Sequence, residues 1–182
     1  MKNKNIALLL SLIFFSSIIY PQLRIEITEG TKDPIRVAIV PITWELDYPA
    51  REYLHQIVSS DLESFGEFKA LTPQEMLSLP QNEEEVLYRD WKLLDVDYLV
   101  VGTASQGGIS KNISVNFSVI DVMRERTLRR SVSSGSANHL TALAHVMSDR
   151  IYEEINGIPG IYSTKIIYVK KDKPAKGKYH LK

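Results

Sequence analysis

The chain has 182 residues, 22 Lys and Arg against 22 Asp and Glu, and no cysteine. That length suits one domain with a real core, and the missing thiols exclude disulfides, thiol catalysis and a cysteine-linked lipid anchor. The balance is uneven, because residues 23–164 hold 13 basic and 21 acidic side chains, a net of −8, and seven lysines lie from Lys165 onward. A net-acidic body argues against nucleic acid as a partner, since phosphate contacts need concentrated Lys and Arg.

Lys2 and Lys4 give a positive start, and Ile6 to Tyr20 carry no charge. A basic stretch followed by an apolar run of this length is the pattern of a secretory signal peptide. Spanning a membrane takes about 20 apolar residues, so the expectation is a signal over residues 1–22, cleaved near Gln22, with no stable membrane insertion afterwards. Tyr20-Pro21-Gln22 lacks the small residues that usually precede the cut.

Leu23-Arg-Ile-Glu-Ile-Thr28 alternates with period two, as a half-buried strand does, and Glu29-Gly30 ends it. Ile35 to Ile42 is a β-branched run that predicts a central strand buried on both faces. Asp47 and Pro49 read as a helix start, with Leu54, Ile57, Val58, Leu62 and Phe65 at helical spacing and Gly66 as the C-cap. Phe68 to Leu71 is a short strand. Thr72 and Glu75 suggest a capping box opening a short helix. Glu83, Glu84 and Glu85 are expected to complement the dipole of a helix over Val86 to Leu94.

Asp97 to Thr103 predicts a buried strand, Gly107-Gly108 a turn, and Ile113 to Ile120 a strictly alternating strand. Thr127 to Ser133 completes an expected antiparallel meander. Asn138 is the expected cap of a long helix with Leu140, Leu143, Ala144, Met147, Ile151 and Ile155 on its buried line, broken by Gly157, Pro159 and Gly160. Thr164 to Val169 and Tyr179 to Leu181 are strand-like, and the lysines between read as a solvated hairpin or linker. The order implies an α/β fold, a mixed sheet covered by helices.

Chemistry is sparse. Gly102 to Gly108 follows a strand, but Gly108 and Ile109 stand where a phosphate loop needs Lys and Ser or Thr, so a hairpin is expected. His139 and His145 lie about 240° apart on one helix, His55 is isolated, and no metal or other cofactor is expected. No serine sits in a Gly-x-Ser-x-Gly elbow. Asp61 and Glu63 point apart on their helix. Asn112-Ile-Ser114 matches a glycosylation sequon, a short pattern that recurs by chance. A catalytic role is therefore not expected. The strand at the mature terminus, followed by Gly30-Thr-Lys-Asp-Pro34, reads on these residues alone as an ordinary edge strand before it reads as a segment for β-augmentation.

Together these residues resemble the TolB family, specifically its amino-terminal domain. The resemblance is carried by Leu23 to Gly30, Ile35-Arg-Val-Ala-Ile-Val-Pro41, Ile57 to Leu62 and Ser64-Phe-Gly-Glu-Phe68. It continues through Trp91, Asp95 to Gly102, Phe117 to Asp121 and Ala144-His145, and ends at Ile155 to Gly160 and Thr164 to Val169. It implies domains at 23–160 (the α/β domain) and 161–182 (a linker and the first strand of a β-propeller, Gly177 to Lys182). The chain then reads as a fragment, because an isolated first strand leaves an unpaired edge.

The resemblance further implies a periplasmic adaptor of the Tol-Pal system. Leu23, Arg24, Ile25, Glu26, Ile27, Thr28, Glu29 and Gly30 would bind the carboxy-terminal domain of inner-membrane TolA, and the family's propeller would hold the lipoprotein Pal. Outer-membrane integrity, protein import and constriction during cell division are the implied roles. An oligomer-forming or small-ligand-binding envelope domain of curli-secretion type is the alternative from another class.

Overall fold

A computed structural model describes residues 33–50, 52–108 and 112–165, with two short strands near the carboxy terminus. Strand β1 (Ile35–Ile39) lies at the heart of the sheet. It is paired in parallel with β3 (Phe68–Leu71) on one side and β4 (Tyr98–Gln106) on the other. β5 (Asn112–Asp121) and β6 (Arg126–Ser136) continue antiparallel, giving the order β3-β1-β4-β5-β6.

The chain leaves β1 toward β3 through helix α1 (Leu54–Glu63). It returns across β1 to β4 through a 3₁₀ turn (Glu83–Glu85) and the short helix α2 (Tyr88–Leu93). Right-handed crossovers that run in opposite directions place their helices on opposite faces. The two cores show that result. Val37, Ile39 and Val100 face α1 with Val58 and Leu62, whereas Ala38, Val40, Leu99 and Val101 face Trp91 and Val96. Helix α3 (Leu140–Asn156) joins α1 on the first face, where Leu143, Ala144, Met147 and Ile151 cover Ile113, Val115, Phe117 and Val119 of β5.

Strand β2 (Thr43–Trp44) also pairs with β4 in parallel. Ile39 lies opposite Val100 and Thr43 opposite Thr103, so β1 and β2 form one line along β4 with a single extra residue between them. Pro41 sits in that gap and has no N–H to give the ladder. A second bulge lies in β6, where Val119 pairs Arg129 and Ile120 pairs Thr127. Skipping Leu128 sends that side chain to the first core and leaves Thr127 on the second face. Strands β7 (Val169–Lys171) and β8 (Tyr179–Leu181) pair antiparallel in a separate sheet.

Several local expectations are corrected. Helix α1 opens at Leu54 after Tyr53, with no side-chain cap, so Asp47 and Pro49 lie in the preceding loop. The cause is tertiary: β2 is held on β4, and Glu45 N–H donates to Ala104 O at 2.9 Å. Phe65 is exposed beyond the helix, while Gly66 takes φ +73° in the closing turn. Thr72 opens only a turn: Glu75 makes its half of the capping box, accepting from Thr72 N–H at 2.7 Å, but the Thr72 hydroxyl donates to the same carboxylate at 2.8 Å instead of accepting from the backbone. The expected Val86–Leu94 helix shortens to α2, and Glu83 to Glu85 before it form a separate 3₁₀ turn capped by Asn82. His139, not Asn138, precedes α3, and Thr164 and Lys165 are not strand.

Candidate interaction surfaces

The segment Leu23 to Gly30, expected to bind a partner, lies outside the described residues. What the body itself offers begins with three polar clusters. On the second face, Glu83 accepts from Ser118 Oγ (2.5 Å), Thr127 Oγ1 (2.7 Å) and Arg130 through both Nε (2.7 Å) and Nη2 (2.6 Å). Burial alone would raise the Glu83 pKa, but the hydrogen bonds from Arg130, Ser118 and Thr127 outweigh it and hold the carboxyl below its ordinary value. This cluster fastens the 3₁₀ turn to β5 and β6.

Between the two helices of the first face, Asp61 Oδ2 meets His145 Nδ1 at 2.8 Å and accepts from Ser148 Oγ at 2.6 Å. Ser148 is fully buried, with its Oγ also 3.0 Å from Ala144 O. The serine and histidine therefore share one carboxylate and make no bond to each other, unlike a nucleophile and its base. Their bonds hold α1 against α3. Glu63 points elsewhere, as expected, to the backbone of β3. At the far end of α3, Asp149 accepts from the backbone N–H of Tyr162 (2.6 Å) and Ser163 (3.1 Å). Among the described residues no three His, Asp or Glu side chains group as metal ligands.

The outer edges of β3 and β6 pair with no strand among the described residues. Each is partly blunted by a side chain. Ala70 N–H donates to Glu63 Oε1 at 3.0 Å, and Arg150 Nη1 donates to Val132 O. Charged side chains set along an open edge discourage indiscriminate pairing with other strands. The Gly102 to Gly108 stretch is strand and hairpin turn, with Gly107 N–H on Asn112 O at 2.9 Å.

A mixed sheet with helices on both faces and its polar groups spent on internal fastening is the architecture of an α/β sandwich domain. The solved TolB of Acinetobacter baumannii shares it, with a TM-score of 0.63 and 28% identity over 82% of this chain and 35% of that one. The family model described as the TolB amino-terminal domain matches residues 23–128. The chain belongs to this family. A Tol-Pal system protein TolB from Alcanivorax borkumensis is 38% identical over 97% of this chain and 40% of its own length. One from Hahella chejuensis is 34% identical over 93% and 40% respectively. The chain thus spans about 40% of the length of these relatives.

Proposed function

We propose that the chain is the partner-binding amino-terminal part of a periplasmic, non-catalytic adaptor of the Tol-Pal system. Residues 1–22 act as a cleaved export signal, 23–160 form the working domain, and 161–182 lead into a β-propeller of the kind the family carries. Leu23 to Gly30 bind the carboxy-terminal domain of TolA by strand addition, and contact with Pal belongs to the propeller. Through these contacts the protein links the inner and outer membranes and supports envelope constriction.

The observation that carries the reading is where the family match opens: on Leu23, the first residue of the alternating segment and the first after the expected cut. Strand addition draws affinity from main-chain hydrogen bonds and specificity from alternate side chains, and Leu23, Ile25 and Ile27 supply such an alternation. The blunted edges of β3 and β6 add support, because they make the body itself a poor donor of a free strand edge. Deleting residues 23–30 from the exported protein and titrating with the TolA carboxy-terminal domain tests it. Affinity is expected to fall at least tenfold; unchanged affinity rejects strand addition by this segment.

A further inference from the structure

Residues 40–50, 52 and 53 lie beyond the carboxyl end of β1 and beside that of β4, at the point where strand order reverses, with β3 on one side of β1 and β4 on the other. In open α/β sheets that point is where a crevice forms and ligands bind. Here β2 carries Trp44 into the crevice and divides it. A hollow of about 350 Å³ lies among Pro41, Ile42, Trp44, Pro49, Tyr53 and His55. Trp44 and Pro49 also wall a second hollow of about 670 Å³ that reaches Tyr48, Gln106 and Leu140. Such volumes suit side chains of a bound peptide.

The wall between the hollows is held in place. Trp44 Nε1 donates to Tyr48 O at 2.6 Å, and the two rings meet edge to face with centroids 6.2 Å apart. Tyr53 is 62% exposed and Tyr48 42%, so large aromatic surface is left open to solvent. The backbone is open as well. Glu45 N–H faces β4, so the alternation of a strand turns the N–H and C=O of Trp44 away from β4.

Charge indicates the occupant. The loop carries Glu45, Asp47 and Glu52 against one basic residue, Arg51. Glu52 lines the smaller hollow, its carboxylate accepting from Thr141 Oγ1 at 2.7 Å. His55 lines the same hollow, is 8% exposed, and has no side-chain hydrogen-bond partner among the described residues. Burial lowers its pKa, so the ring adds no positive charge at neutral pH. Aromatic faces beside a carboxylate attract a cation, and the apolar hollows accept its neighbours.

We propose that this groove docks an extended segment of a partner protein bearing lysine or arginine between apolar residues, with the cationic head over the Tyr53 ring near Glu52 and the apolar side chains beside Trp44. This contact goes beyond the strand formed by Leu23 to Gly30 and does not depend on it.

The probe is a fluorescein-labelled six-residue peptide alternating lysine with leucine, compared with one carrying glutamate for lysine, each titrated into the full chain. The lysine peptide is expected to bind at least tenfold tighter. Tyr53→Ala and Glu52→Gln are each expected to weaken it about fivefold. Glu84→Gln, an exposed carboxylate on the other face of the sheet, leaves the affinity unchanged.

The chain has two tryptophans, and Trp91 is only 1% exposed. In NMR spectra the Trp44 indole N–H is therefore expected to shift on binding while that of Trp91 stays. The proposal is overturned by equal affinity for the two peptides, by no binding of either, by an unmoved Trp44 signal, or by a Glu84→Gln loss that matches Glu52→Gln. Tyr53 is largely exposed, so its variant keeps the fold; Glu52→Gln, nearly isosteric, gives the same answer by a second route.

Discussion

Glu83, Glu84 and Glu85 look alike in the sequence, yet only Glu83 turns onto the sheet. Glu85 bonds back to Gln81 and Asn82, and Glu84 stays exposed. The difference arises from the bulge in β6, which puts Thr127 and Arg130 on the same face as Ser118. Glu83→Gln is expected to cost about 1–2 kcal/mol at pH 7, since charge-assisted bonds are the strong ones, as urea titration would show. The pH dependence has a definite sign. A carboxyl whose folded pKa lies below its ordinary 4.5 adds stability above that value and loses it as pH falls through the lower, folded one. The wild type should therefore weaken more steeply than Glu83→Gln in acid unfolding below pH 4.5. The dipole reading of the three glutamates was right about composition and blind to this, because a register shift leaves no local pattern.

Strand and helix positions were the readable part at the scale of elements. The helical spacing of Leu140 to Ile151 survives in α3, and period-two alternation survives in β5 over Ile113 to Asn116, beyond which the strand is buried on both sides. Helix starts were less readable. Asp47 with Pro49, and Asn138, carry good capping chemistry, yet each helix begins where its first side chain is buried: Leu54 at 2% exposure and Leu140 at 4%. Burial of a leucine outweighs a cap worth about 1 kcal/mol.

Two glycines separate the same way. A Cβ on Gly102 would stand 2.7 Å from Asn116 O and 2.9 Å from Phe117 Cβ, across the β4–β5 ladder. One on Gly135 would make ordinary contact with Leu143 at 3.5 Å. Gly102→Ala is thus expected to lower stability by about 2 kcal/mol through overpacking. Gly135→Ala should lie within about 0.5 kcal/mol of the wild type or slightly above it. Paired denaturation curves would separate the two.

For the whole molecule, the boundary drawn at residue 160 meets an attachment that runs past it. Gly160 lies so close to α3 that a Cβ would sit 2.5 Å from Asp149 Cα, and the Asp149 carboxylate then holds Tyr162 and Ser163. The Tyr162 ring rests between Phe65 and Tyr152, at centroid distances of 5.7 and 5.9 Å. Burial, then neighbouring Tyr152 and the carboxylates of Asp61, Glu67 and Asp149, pushes its phenol up to about 12, so it stays neutral. The first residues of the linker, 161–164, are therefore fastened to the body of the domain. A chain ended after Gly160 should be less stable than one ended after Thr164 by about 1–2 kcal/mol. In calorimetry that is roughly 3–6 °C in melting temperature.

By itself the sequence determined the order of the long strands and helices and the family, because hydrophobic period and residue order are properties of short stretches. Only the tertiary structure decided which glutamate is pinned, where helices begin, which edges are blunted and how Trp44 divides the crevice. Those outcomes depend on register and crossover side, which bring residues such as Glu83 and Arg130 together across 47 positions of chain, farther than any local pattern reaches.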